Sequence, residues 1–341
     1  MFVENDQHLL YPNPAAVEET KELLKESGIK QGTDFWRSAI QDLLQRYEFL
    51  GRIIGKCLYE NILVDVDFAG FFLLKWALTG GHGQAPNESG YRANINDLRD
   101  FDEGLYQGLL KLKNYTGDVS DFGLTFSVTD TITIPQSLTG LPSDRRTKSY
   151  DRELYPGGSM DPVINTNRLV YISYLTRYRL TQQPYQQSSA FLRGLASIIS
   201  PSWLRMFNQH ELSTLIGGSH ASSISISDLR SNTIYGGLYV IGDDGLEHPS
   251  VSLFWEVLHE MDEVDVRKVL KFVTSTPRAP LLGWKTLNPR FSISDAGTDE
   301  TRLPSTSTCV NLLKLPRYTK KKTLKEKLLL AVNAGAGFDL S

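Results

Sequence analysis

The stretch RLPSTSTCVNLLKLPRY, residues 302–318, decides how this chain is read. Its single cysteine, Cys309, follows Ser305, Thr306, Ser307 and Thr308, precedes an apolar run, and lies between Pro304 and Pro316. On the residues alone two readings stay open. A thiol beside VNLL can be a small buried hydrophobe. A thiol on an accessible loop of hydroxyls can be a nucleophile, although at an ordinary pKa of about 8.5 only a few per cent is thiolate at pH 7. A hydrolytic cysteine enzyme adds a histidine and an orienting Asn or Asp. His8, His82, His210, His220, His248 and His259 fall in no cysteine-protease pattern. Thioester exchange between thiols fits better, because it needs a thiolate but no base to activate water.

Composition bounds the remaining chain. With 341 residues, 40% of them hydrophobic and 22% charged, it is an ordinary globular sequence long enough for two domains. A net charge of −3 gives no electrostatic footprint for nucleic acid or an anionic membrane, and the KKK run at 320–322 reads as a solvated face. No apolar run is long enough to span a bilayer, and MFVENDQHLL lacks the regions of a signal peptide. An intracellular protein, in cytoplasm or nucleus, is expected. Cys57 and Cys309 form no CxxC, which argues against a disulfide framework or a zinc site, so no metal is expected.

Along the chain, residues 34 to about 64 are predicted helical, with Leu50, Ile53, Ile54, Cys57 and Leu58 on one apolar face; Cys57 reads as core. GRIIG within that helix lacks the following Gly-Lys-Ser/Thr and preceding strand of a phosphate loop. TGGHGQAPNESGYR reads as a loop and GLYQGLLKLKNY as a helix. FGLTFSVTD and TITIP alternate like strands, and LPSDRRTKSYDRELYPGGSMDP reads as a charged loop. Helical patterns return from Asn165 to Phe207. ELSTLIGGSHASS, with its paired glycines, is the expected boundary: a hinge, a helix ending on a glycine cap, or both. Beyond it come strand-like SISISDL, amphipathic SLFWEVLHEMDEVDVRKVLKFVTS and a last helix, expected to start at a Thr323–Glu326 capping box and to bury Leu324, Leu328 and Ala331.

LPSTSTCVNLLKLPRY followed by LKEKLLLAVNAGAGF resembles the C-terminal signature of HECT-type ubiquitin ligases. LYPNP, YEFLGRIIGKCLYENILVDVDF, ELYPGG, NRLVYI, AFLRGL, ELSTLIGG, FWEVL and LKFVTSTPRAPLLGW follow that family in order, so the resemblance covers essentially the whole chain. Ser-Thr-Cys and a tail ending Leu-Ser are most similar to its proteasome-associated subgroup. Many members carry histidine where this chain has Ser307, which puts histidine-based activation of the thiol in doubt.

The resemblance implies a bilobal α+β fold: a mostly helical N-lobe over 1–217 with a small mixed subdomain at about 99–175, a hinge at 218–220, and an α/β C-lobe over 221–341. It implies a ubiquitin ligase in which Cys309, helped by Thr308, takes ubiquitin from a conjugating enzyme as a thioester and passes it to a substrate lysine. Phe338 would assist delivery, Gly217, Gly218, Ser219 and His220 would form the hinge, and Leu105, Leu109, Tyr115, Phe122, Leu124 and Tyr171 would dock the conjugating enzyme. Leu109 and Leu124 read more simply as core, which leaves Tyr115 and Tyr171 as the expected anchors. The implied partners are conjugating enzyme, ubiquitin and protein substrates, with the proteasome reached through a longer protein of which this chain is the catalytic part; no cofactor is implied. The alternative is a catalytically inactive HECT-like module that binds conjugating enzyme or ubiquitin.

Overall fold

The computed structural model describes residues 1–77, 90–135, 145–218, 224–280 and 282–334. The chain divides into two compact units, Met1–Lys56 with Asp67–His210, and Cys57–Val66 with Glu211–Ser341.

The first unit opens with an antiparallel pair, β1 (Phe2–Glu4) and β2 (Leu10–Pro12). Next come α1 (Ala16–Glu26), α2 (Asp34–Glu60, whose last turn belongs to the second unit) and α3 (Gly70–Ala77). The α3 sequence GFFLLKWA is apolar nearly all round and is correspondingly buried. Phe2, Phe68, Phe72, Trp76 and Phe191 pack there as an aromatic cluster. Helix α2 stops short of Val64 because Asn61 turns left-handed, with φ 55°. Cys57, expected as core, is only half-buried, and Ile53 is exposed. The buried face of α2 carries glycines instead. A Cβ on Gly51 would lie 2.1 Å from the Phe191 carbonyl oxygen, so the GRIIG segment is a close helix crossing.

After α4 (Glu103–Asn114), FGLTFSVTD and TITIP contribute to one strand, β3 (Ser127–Pro135), rather than two. It pairs antiparallel with β4 (Arg145–Glu153), cut from the segment expected to be a charged loop. The reason is electrostatic register. Arg146, Lys148 and Arg152 on one face of β4 meet Glu26, Glu22 and Glu18 on α1. From Arg146 to Lys148 two residues of strand advance roughly 6.7 Å, against about 6 Å for the four helix residues from Glu26 to Glu22, so these two pairs share a spacing. Arg152 lies four strand residues beyond Lys148 and reaches Glu18 at 3.1 Å. The unit closes with α5 (Arg168–Arg177), a π-helical turn at Tyr178–Gln182, α6 (Tyr185–Ala196), α7 (Pro201–Leu204) and the first residues of α8 (Gln209–Gly217).

In the second unit SISISDL is not a strand. Ser225 accepts a hydrogen bond from the Asp228 N–H at 3.2 Å and caps α9 (Ile226–Ser231), so a hydroxyl that satisfies the helix start outweighs the alternation. A four-stranded sheet follows in the order β5 (Ile234–Gly236), β6 (Ser292–Asp295), β8 (Leu312–Leu315), β7 (Ser305–Ser307). Its first three strands are parallel, and β7 runs antiparallel to β8. The predicted amphipathic stretch is two helices, α10 (Pro249–Glu260) and α11 (Glu263–Thr274). With α12 (Lys321–Asn333) they share one core that includes Phe254, Trp255, Leu270, Ile293 and Leu313. Leu324, Leu328 and Ala331 are buried as expected, but α12 starts at Lys321, ahead of the expected capping box. Lys320 is the extended N-cap, and Lys321 ties the first turn to Glu260 at 2.5 Å and Glu256 at 3.3 Å.

Candidate active site

Cys309 stands at the tip of a β-hairpin. Ser307 of β7 pairs with Leu312 of β8, which leaves Thr308, Cys309, Val310 and Asn311 as the connection, the first three in a single 3-10 turn. The strands hold the tip through buried side chains: Thr306 on β7, and Leu313 and Leu315 on β8. The tip itself faces out, with Cys309 exposed and Thr308 half-buried. Exposure removes the buried-hydrophobe reading for Cys309. The contrast is Cys57, whose partial burial pushes its thiol up from the ordinary value.

The hairpin is closed at both ends. At the tip Asn311 takes a left-handed conformation (φ 51°, ψ 40°), and its N–H donates to the Thr308 carbonyl at 3.3 Å. Its buried side-chain amide donates to the Pro289 carbonyl at 2.5 Å, and its own carbonyl accepts from the Ser292 N–H at 2.9 Å. At the base the Tyr318 hydroxyl donates to the Arg302 carbonyl at 2.5 Å, tying together the two ends of the stretch quoted above. His248 has a structural role: its Nδ1 accepts the Ser250 N–H at 3.1 Å, at the start of α10. Among the described residues no cluster of three or more His, Cys, Asp or Glu side chains could hold a metal, and no helix is long and apolar enough to cross a membrane.

The six expected docking residues all lie in the first unit but differ in exposure. Tyr115, at the C-terminal end of α4, and Phe122, in the 3-10 turn Val119–Phe122, are 38% and 50% exposed, with ring centroids 4.9 Å apart. Gly117 seats the Tyr115 ring, since a Cβ there would come within 2.8 Å of it. Arg168 donates to the Tyr115 carbonyl at 2.5 Å. Leu105 and Leu124 are half-buried, and Leu109 is buried. Tyr171, expected as an anchor, is 6% exposed and packs edge-on against Phe126 at 5.6 Å. The exposed aromatic pair is therefore Tyr115 with Phe122.

The whole chain, residues 1–341, matches the HECT-domain (ubiquitin-transferase) family. The chain belongs to the HECT family. It is 41% identical over its full length to a Schizosaccharomyces pombe protein named "Probable E3 ubiquitin protein ligase". It is 43% identical over 86% of its length to the E3 ubiquitin-protein ligase HUL5 of Saccharomyces cerevisiae, and 37% identical over 88% to the human Ubiquitin-protein ligase E3B. The chain spans only 28–29% of the length of these relatives.

Within this HECT domain, Gly217 ends α8, and Gly218 (φ 85°) donates its N–H to the Thr214 carbonyl at 2.8 Å. That is the glycine cap the sequence offered as one reading. Gly217 is packed so closely that a Cβ would lie 2.2 Å from Arg278 Nη1. Ser219, His220 and Phe338 lie outside the described residues. The tie from Asn311 to Pro289 and the clamp from Tyr318 to Arg302 were not singled out from the sequence. The only signal for the first was an asparagine, a residue tolerant of left-handed backbone, two places after the cysteine.

Proposed function

We propose that this HECT domain accepts ubiquitin on Cys309 and transfers it to a substrate lysine. The Cys309 thiolate attacks the carbonyl carbon of the thioester that joins ubiquitin to the conjugating enzyme's cysteine. That cysteine leaves as thiolate and takes up a proton. A lysine amine then attacks the new thioester, an isopeptide bond forms, the Cys309 thiolate departs, and the amine's proton is lost to solvent or a base. The observation that carries this reading is the exposed thiol on a hairpin tip held rigidly at both ends. It favours a transferase over an inactive binding module, which needs no accessible thiol.

In this proposal the N-lobe (1–217) docks the conjugating enzyme through the exposed pair Tyr115 and Phe122, with the half-buried Leu105 and Leu124 contributing and Leu109 and Tyr171 as buried support. Gly217, Gly218, Ser219 and His220 let the C-lobe (221–341) reorient, Thr308 assists at the thiol, and Phe338 steadies delivery to lysine. The partners are a ubiquitin-conjugating enzyme, ubiquitin and protein substrates in an intracellular compartment. Proteasome association belongs to a longer protein. Incubation with activating enzyme, conjugating enzyme and ubiquitin tests the core of it. A thiol-sensitive adduct and all ligation product should vanish in Cys309→Ala and persist in Cys57→Ala, and an adduct that survives Cys309→Ala refutes the assignment.

A further inference from the structure

The cysteine turn is held by a residue whose backbone conformation and side-chain bond do separate jobs. Asn311 sits at φ 51°, where a non-glycine residue is uncommon and asparagine is among the few that are tolerated. A glycine would supply that backbone as well. What glycine cannot supply is the buried side-chain N–H that reaches Pro289, in the segment leading into β6. Three residues beyond Pro289, the Ser292 N–H donates to the Asn311 carbonyl, at the start of the ladder that pairs Ser292 with Leu312. Its N–H meanwhile closes the turn onto Thr308. Asn311 is thus the junction where the exposed turn is bolted to β6, one of the two inner strands of the sheet, and Cys309 itself makes no side-chain hydrogen bond among the described residues.

We propose that Asn311 is a positioning residue for ubiquitin transfer: its amide, fixed on the Pro289 carbonyl, sets the direction in which Cys309 presents its thiol. The inference rests on the reading of Cys309 as the acceptor. Exchange between two folded proteins requires the sulfur to approach a carbonyl carbon to roughly 3–3.5 Å along a defined line, so a turn that wanders loses rate steeply. A small alkylating reagent approaches an exposed thiol from many directions and is insensitive to that line. The two reactions therefore separate orientation from access and ionisation.

Two substitutions isolate the amide. Asn311→Gly keeps the left-handed backbone and deletes the donor; Asn311→Asp keeps size and turn preference but sets a carboxylate against a carbonyl oxygen. Single-turnover charging from a ubiquitin-loaded conjugating enzyme should fall tenfold or more in both, while iodoacetamide alkylation of Cys309 stays within about threefold of wild type. In Asn311→Asp the ratio of variant to wild-type charging should climb as pH drops from 8 to 6, because a protonated carboxyl can donate to Pro289 again. Charging within twofold of wild type in either folded variant overturns the proposal, as does a parallel loss of charging and alkylation. Failure of both variants to fold also overturns it, since the amide would then serve folding alone. Failure of the underlying reading is seen separately, as charging that survives Cys309→Ala.

Discussion

Truncating the exposed aromatic pair should uncouple partner binding from stability. An aromatic side chain offers roughly 150–250 Å² for burial, so 50% exposure of Phe122 leaves about 100 Å² for a partner to cover and 38% exposure of Tyr115 leaves about 75 Å². At about 25 cal/mol per Å² these are worth roughly 2.5 and 2 kcal/mol, or about 70- and 30-fold in Kd. Because the rings touch at 4.9 Å, the double variant should lose less than the sum, about 3 kcal/mol. The folded state should barely notice either single change, since the Tyr115 carbonyl keeps its bond from Arg168 without the ring. Tyr171→Ala should do the reverse, costing on the order of 3–5 kcal/mol of stability because it empties a buried site against Phe126. Calorimetric titration with a conjugating enzyme that charges the wild-type domain, paired with thermal melting of each variant, separates the two effects. Wild-type affinity in both Tyr115→Ala and Phe122→Ala, with unchanged melting, would refute the docking surface.

Three further outcomes are expected. Thr306→Val should raise stability by about 1 kcal/mol in denaturant unfolding, because the Thr306 hydroxyl is buried in β7 with no hydrogen-bond partner among the described residues; a loss would mean that the hydroxyl is satisfied. Burial brings the Lys75 ammonium down to about 7, so below that pH the folded state carries a buried charge, and its contribution to stability improves as pH rises from 7 towards the unfolded value. The melting-temperature advantage of Lys75→Met over wild type should accordingly shrink between pH 6 and 9, and a constant gap would contradict this. Phe338→Ala should charge normally yet deliver ubiquitin to lysine at least tenfold more slowly, about 1.4 kcal/mol, in a single-turnover chase.

The apolar face of α12 was legible because burial imposes its period on the sequence: Leu324, Leu328 and Ala331 are all inaccessible. What escaped was decided elsewhere in the chain. β4 carries few apolar residues, and its partners for pairing and neutralisation lie on β3 and on α1, far away in sequence, so RRTKSYDRE looked like a loop. SISISDL alternates like a strand, but one serine hydroxyl at a helix start overrode the alternation. Cys309 was legible as a candidate and ambiguous as to burial, since a hairpin tip and a buried strand end both follow an apolar pattern in VNLL.

In the proposed transfer, with Ser307 rather than histidine two places before the cysteine, placement of the sulfur is expected to outweigh its activation. For any thiol of ordinary pKa, complete ionisation at pH 7 can gain at most roughly 30-fold over the few per cent already present, about 2 kcal/mol. Correct placement of two reacting groups is worth roughly 7–11 kcal/mol. Thioester exchange also leaves behind a thiolate much like the one it consumes, so little driving force is gained from making the attacking sulfur more basic. A site built for this reaction therefore gains more from holding its sulfur still than from activating it. The contacts around Cys309 suit the proposed transfer: the ties at Pro289, Ser292, Thr308 and Arg302 all fix backbone, and the thiol is exposed.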